Sequence, residues 1–179
     1  MTERGDRRRL GLSGLAVLLV ATALAAWADE ESWQYLERRG YQAPRISAAE
    51  ARKAVEASRP WHVGAVQSKR EEEGVEVHVL INAAVGPIAK LAINPTTGEV
   101  LPQKVEVYAD QLALSPEQIR QKVAALLPSL QVGSEAWLGG HGRYWRLPLF
   151  LRGLLVATVK VDARSGQLLP LRAKKAGER

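Results

Sequence analysis

The 179-residue sequence predicts an α+β fold built from two tandem units, each with one helix packed on a short antiparallel β-sheet. Three observations lead to this prediction: an internal repeat, a capped amphipathic helix at the start of each copy, and alternating strands after it. The helix-start motif at Ser47 recurs at Ser115, 68 residues later. The loop glycine Gly98 recurs as Gly166 at the same offset, so the two copies align without a gap.

A helix is predicted at the start of each copy. Ser47 and Glu50 have the spacing of a capping box, in which each side chain pairs with a backbone N–H of the first turn. Ser115 and Gln118 repeat this spacing, and Pro116 suits the first helical position because its missing N–H needs no partner there. Pro60 and Pro128 are expected to end the two helices. The apolar face consists of Ala51 and Val55 in the first copy and Ile119, Val123, Leu126 and Leu127 in the second.

Each helix is followed by a predicted hairpin and a closing strand. A strand around Val63–Lys69 leads through a turn at Glu71–Gly74 into residues that alternate apolar and polar, so that one face is buried. The inward set of the middle strands is Val75, Val77, Val79 and Ile81, with Arg143, Trp145, Leu147 and Leu149 at the corresponding positions. The inward set of the closing strands is Ala89, Leu91 and Ile93 in the first copy and Ala157, Val159 and Val161 in the second.

The closing strands end in similar loops, Asn94–Gly98 and Asp162–Gly166. An Asx side chain can accept a hydrogen bond from the backbone two residues on, and glycine adopts the positive φ that a tight loop needs. This structural explanation is favoured over a catalytic role for Asp162 with Ser165.

The repeat divides the chain into six segments. The first has a basic start, an apolar run over Leu10–Trp27 and small residues at Ala26 and Ala28, the layout of a secretory signal peptide. The run is also near the lower length limit of an uncleaved membrane anchor, and export by the general or the twin-arginine route remains open. The segments are 1–28, signal peptide or N-terminal membrane anchor; 29–45, a polar segment that could form a short amphipathic helix; 46–102, first repeat; 103–113, linker; 114–170, second repeat; and 171–179, basic tail.

Composition narrows the classes of function. The absence of cysteine excludes disulfides, thiolate metal sites and a cysteine nucleophile. The formal charge of +6 is spread along the chain, and only the tail gathers cations, so nucleic-acid binding is not expected. A unit of about 60 residues has a marginal core, so we expect the two copies to pack on one another.

No catalytic constellation is present in the sequence. His62, His78 and His141 are the only histidines, and none has the spacing of a zinc-binding helix. His78 is expected to face solvent. Glu71–Gly74 and Gly139–Gly142 are interpreted as hairpin turns, in preference to a cation site and an oxyanion loop. We therefore predict no catalytic residue, no metal site, no cofactor and no enzymatic activity.

The order of elements resembles the PepSY domain family. The match covers Ser47 to Pro102 and Ser115 to Pro170, in which a capped helix precedes a hairpin and a strand that closes on Asp-x-x-Thr/Ser-Gly. Asn94 departs from the family pattern, as does Pro148, which indicates an edge or a bulge in its strand. The resemblance implies a non-catalytic protein outside the cytoplasm. Such domains occur in propeptides of thermolysin-type metalloproteases and as exported proteins, with an inferred role in inhibiting peptidases or regulating envelope proteins.

The leading hypothesis is an exported protein, located in the periplasm, outside the cell or on the outer face of the cytoplasmic membrane, that binds and modulates a peptidase or another envelope protein. Membrane contact would come only through an uncleaved N-terminal segment. The alternative is a small-molecule or metal-ion binding protein of the envelope that uses a cleft between the units. A hydrolase with an unrecognised site is the least favoured hypothesis. Alternation predicts a partner surface on the outer sheet faces, formed by Leu80, Tyr144, Phe150 and Val156.

Overall fold

A computed structural model describes residues 40–171. The predicted export segment, most of the 29–45 segment and the basic tail from residue 172 lie outside the described residues. From Pro44 onward the described chain belongs to one compact unit, which contains both repeats.

Within residues 40–171, two helices and two antiparallel sheets form the α+β fold that the sequence predicts. The elements of the first repeat are α1 (Ala48–Ala57), β1 (His62–Glu71), β2 (Gly74–Ala83) and β3 (Gly86–Ile93). Those of the second are α2 (Pro116–Leu126), a 3₁₀ turn (Leu127–Ser129), β4 (Gln131–Val132), β5 (Trp137–Gly139), β6 (Tyr144–Leu151), β7 (Leu154–Asp162) and β8 (Leu168–Leu169). The first sheet has the strand order β1-β2-β3, and the second has the order β4-β6-β7-β8 with β5 beside β6.

Both helices begin with the predicted capping boxes. The backbone N–H of Glu50 donates to Ser47 Oγ at 3.2 Å, and the N–H of Ser47 donates to Glu50 Oε2 at 2.7 Å. In α2 the corresponding bonds join Gln118 N to Ser115 Oγ at 3.2 Å and Ser115 N to Gln118 Oε1 at 2.8 Å. The first-turn donors that would otherwise lack partners are therefore satisfied in the same way in both copies.

The helices do not lie where the sequence suggests, because each covers the sheet of the other repeat. The main sheet contacts of α1 are with β7, β6 and β4, and α2 packs on β1. Arg120 of α2 donates to the carbonyl oxygen of Gly64 in β1 at 3.2 Å. Arg59, just after α1, donates to the carbonyl oxygen of Leu130, just before β4, at 2.6 Å. One helix per repeat packed on its own sheet is thus not confirmed.

Two backbone hydrogen bonds that residues flanking the first repeat donate to the second repeat have counterparts offset by 68 residues. In each counterpart, a residue that flanks the second repeat donates to the first repeat. The bonds are Arg45 N to Ala163 O at 2.7 Å with Ala113 N to Pro95 O at 3.2 Å, and Gln103 N to Leu155 O at 2.7 Å with Leu171 N to Pro87 O at 2.6 Å. The arrangement is that of an approximately two-fold symmetric pair within one chain.

A single hydrophobic cluster contains the apolar faces of both helices and both sheets. The predicted inward residues of β2, β3 and β7 are all buried, as are Leu147 and Leu149 of β6. Trp145 is half-buried against this cluster and donates from Nε1 to the carbonyl oxygen of Ile46 at 3.0 Å. Arg143 is exposed and was wrongly assigned to the core, because it lies in the turn before β6.

Pro148 interrupts the strand beside it, while its own strand β6 remains continuous. Its carbonyl oxygen accepts from Gly133 N at 2.9 Å. In an antiparallel ladder the N–H and C=O of one residue point to the same neighbour, so the missing N–H also faces this side. The counterpart of the ten-residue β1 is accordingly split into β4 and β5. The predicted irregularity exists beside Pro148: the neighbouring strand is interrupted, and the register of β6 against β7 also shifts between Leu149 and Phe150.

We predict that alanine is more destabilising at Gly98 than at Gly166. Both have positive φ, +72° and +75°, so a side chain costs about 1 kcal/mol at either position. A Cβ at residue 98 would lie 2.6 Å from Leu114 Cδ1, whereas at residue 166 the nearest atom is Ile46 Cδ1 at 3.7 Å. Gly98→Ala should therefore lose about 1 kcal/mol more in urea unfolding. Equal losses would contradict the packing of Leu114, which precedes α2, on the first repeat.

Candidate functional site

The predicted partner surface is divided by the fold. Leu80, Tyr144 and Phe150 are half-buried, Leu80 in the first sheet and the other two in β6. Val156 is only 2% exposed and cannot belong to an exposed surface. The four residues therefore do not form one continuous patch.

Val156 is buried because β3 and β7 lie against each other. Its counterpart Ile88 in β3 is also fully buried. The linker adds cover: Gln103 N donates to Leu155 O at 2.7 Å, and the Gln103 side chain bonds Thr158 Oγ1 at 3.2 Å. Alternation assigns Val156 to an outer face, but it shows neither the register shift at this residue, where Leu149 pairs with Ala157 and Phe150 with Leu155, nor the strand and linker that cover it.

The outer face of the first sheet holds a polar cleft of about 510 Å³. Glu76 and His78 lie side by side along β2, with Glu76 Oε1 at 2.9 Å from His78 Nε2 and both side chains less than 15% exposed, at 14% and 13%. The expectation that His78 faces solvent is wrong, because the linker borders this face. Further residues lining the cleft are Gln67, Lys69, Lys90, Ala92, Gln103, Lys104, Val105, Glu106 and, at its buried end, Val156.

His78 is neutral at pH 7. Burial, with the positive charge of Lys90, lowers the pKa of His78 below its ordinary value of 6.5. The carboxylates of Glu76 and Glu106 oppose this effect without reversing it. The contact with Glu76 is therefore a hydrogen bond donated by a neutral imidazole.

The outer face of the second sheet carries aromatic and cationic side chains instead. Arg146 Nη2 donates to the Tyr144 hydroxyl at 3.1 Å, and Lys160 Nζ lies 4.8 Å from the centre of the Tyr144 ring. Arg143 is also close enough to act electrostatically on Tyr144. We call Arg143, Arg146 and Lys160 the basic cluster. The hydrogen bond from Arg146, with the positive charges of the cluster, lowers the pKa of Tyr144.

Two glycines allow the Tyr144 ring to lie against the backbone. A Cβ at Gly139 or Gly140 would approach ring atoms of Tyr144 to 2.5 Å. Gly140 and His141 have positive φ, which fits the predicted hairpin turn. The glycine-rich segment is thus explained by the turn and by the ring beside it.

Trp137 is a surface residue that our sequence interpretation did not identify. It lies opposite Arg146 in the register of β5 and β6, on the outer face, and is 42% exposed. The sequence signal for Trp137 is its position opposite the outer face of β6, but this signal can be used only if the short strand β5 is recognised before the glycine turn.

Asp162 has a structural function. Its Oδ1 accepts from Arg164 N at 2.9 Å and from Ser165 N at 2.8 Å, as the predicted Asx turn requires. These bonds, that from Ser165 first, lower the pKa of Asp162.

A second cavity, of about 450 Å³, lies between the repeats. The loop at Gly98–Val100 and Lys122 and Leu126 of α2 form one side of it. Leu151 and Leu154 of the β6–β7 hairpin form the other. It has the location of the cleft considered for small-molecule binding.

Within residues 40–171, no group of three or more histidine and carboxylate side chains could hold a metal ion. In the same range no helix is long and apolar enough to cross a membrane. No protein-family model matches the chain, and neither a curated protein nor a solved structure is detectably similar to it.

We predict that acidification weakens the fold through His78. Because its folded-state pKa lies below its unfolded value, the unfolded chain binds the proton more tightly. This contribution to stability is complete above about pH 6.5 and is lost as the pH falls toward the folded-state pKa. Urea unfolding between about pH 8 and pH 5.5 should show the loss, and His78→Gln should reduce it. His62→Gln, at an exposed position of β1, is the control; an unchanged pH profile in His78→Gln would contradict the assignment.

Proposed function

We propose that the protein is a non-catalytic, exported, PepSY-like protein that binds and modulates a peptidase or another envelope protein. The proposed export rests on the sequence pattern of residues 1–28. The non-catalytic role is supported by side chains that have structural partners: Asp162 caps a turn, and Glu76 pairs with His78.

The PepSY-like assignment is supported by local structure in both copies. Each has a capped helix, then a hairpin, then a strand closed by an Asx turn. We propose that the two units are intertwined, each completing its helix-on-sheet layer with the helix of the other. The chain would then act as one binding body.

The observation that carries the binding function is the outer face of the second sheet. Trp137 exposes its ring beside Arg146, and Tyr144 stacks against the basic cluster. Tryptophan, tyrosine and arginine are the residues that most often dominate binding energy in protein interfaces. A partially exposed group of this composition, in a protein with no recognised catalytic site, favours protein binding.

We predict that Trp137→Ser reduces the capture of envelope proteins by the immobilised protein, because it removes an exposed aromatic contact. Captured proteins would be identified by mass spectrometry, and any peptidase among them assayed with and without the protein. Val85→Ser is the matched control, since Val85 is 51% exposed at the tip of the β2–β3 hairpin. Capture that is equal for the wild type and Trp137→Ser would exclude this face, and a wild type that captures nothing would count against the function.

The cavity between the repeats supports a second candidate function, the binding of a small molecule in the envelope. Its volume lies within the range of ligand sites, and apolar side chains line both sides. A ligand at one hundred times its Kd would stabilise the fold by about 2.7 kcal/mol. A panel of small molecules should then raise the Tm of the wild type, and Leu126→Lys, which places a charge in the cavity, should remove the shift. Unchanged Tm values would count against this candidate.

A further inference from the structure

We infer that the outer face of the second sheet binds an acidic, extended segment of a protein partner, whose carboxylates contact the basic cluster. This inference rests on the proposed binding function and specifies the chemistry of the partner.

The charge of the basic cluster is not neutralised within the described chain. None of the ion pairs found within residues 40–171 includes Arg143, Arg146 or Lys160. Asp162 lies opposite Tyr144 in the register and carries a negative charge, so it offsets part of the charge of the cluster, although its Oδ1 is engaged by the Asx turn. Three cations beside this one carboxylate leave a net positive field, which attracts anionic groups.

The cluster is held in position before any ligand binds. Arg146 donates to the Tyr144 hydroxyl, and its Nε is buried without a hydrogen-bond partner beside Gly139. Tyr144 in turn is fixed against Gly139 and Gly140. A planar guanidinium that is already oriented loses less side-chain entropy when a carboxylate binds.

The corresponding positions of the first repeat have the opposite character. Glu76 stands where the second repeat has Tyr144, and His78 stands where it has Arg146. Ala92 takes the place of Lys160. On the first sheet Glu76 and His78 satisfy each other, whereas the corresponding positions of the second sheet carry Tyr144 and a cation.

The composition of the face favours a peptide over other polyanions. Trp137 lies beside Arg146, so an extended segment that carries acidic and apolar side chains two residues apart, and therefore on one face, would contact the ring and the cations together. The cluster surrounds a single tyrosine, whereas a nucleic acid would contact a longer track of cations through its phosphates.

The test is fluorescence anisotropy with the full chain as receptor and a labelled peptide in which glutamate and phenylalanine alternate at every second position, with serine between them, so that both side chains share one face. The reference peptide has glutamine in place of glutamate. The wild type should bind the glutamate peptide about tenfold more tightly than the reference, and added salt should weaken binding. Lys160→Glu should remove this preference, and so should Arg143→Glu, whose side chain is exposed.

Lys90→Glu is the matched control, with the same charge change on β3, the counterpart of β7. It should change the affinity by less than about twofold. Equal affinity for the two peptides, or an unchanged preference in Lys160→Glu, would overturn the inference. The inference would also be overturned if a single-stranded oligonucleotide or anionic lipid vesicles bound more tightly than the glutamate peptide and Lys160→Glu abolished that binding. Partner capture that is unaffected by Lys160→Glu would remove this inference and leave the proposed binding function standing.

Discussion

The structure depends on the burial of each helix against the sheet of the other repeat. Val55 and Val123, the central buried residues of α1 and α2, are completely inaccessible to solvent. Each such side chain contributes about 1.5–3 kcal/mol when it is transferred from water to the core. Because the sheet that buries one helix lies in the other repeat, neither repeat has a complete core of its own. The two copies must fold together, which is how a chain without disulfides can use units of marginal size.

This exchange also determines where the connecting segments lie. The linker leaves the first repeat beside β7, bonds Leu155 through Gln103, and returns to pair Ala109 with Val75 in the first sheet. Along this path it borders the outer face of the first sheet and encloses the Glu76–His78 pair. The linker is therefore part of the fold, and it gives one outer face a cleft that alternation alone does not predict.

The two sheets share a core pattern and differ on their outer faces. Inward positions are constrained in both repeats by the same close packing, which tolerates few changes of volume. The outer positions make fewer contacts and can carry different chemistry. One face holds a neutral histidine beside a glutamate, and the other holds the basic cluster around Tyr144. The two repeats can therefore differ in function although their folds are almost symmetric. The proposed binding function is assigned to the second sheet because only its outer face carries the basic cluster.

The sequence alone determined the features that depend on residues close together in the chain. Capping at Ser47 and Ser115, the inward faces of the strands and the Asx turn at Asp162 each follow from local spacing. Which sheet each helix covers was decided only by the tertiary structure. Both sheets present the same alternating apolar face, so a helix stripe matches either one. The choice depends on the free energy of burying faces that are distant in sequence. The burial of Val156 and the exposure of Trp137 follow from the same non-local contacts, which no local pattern contains.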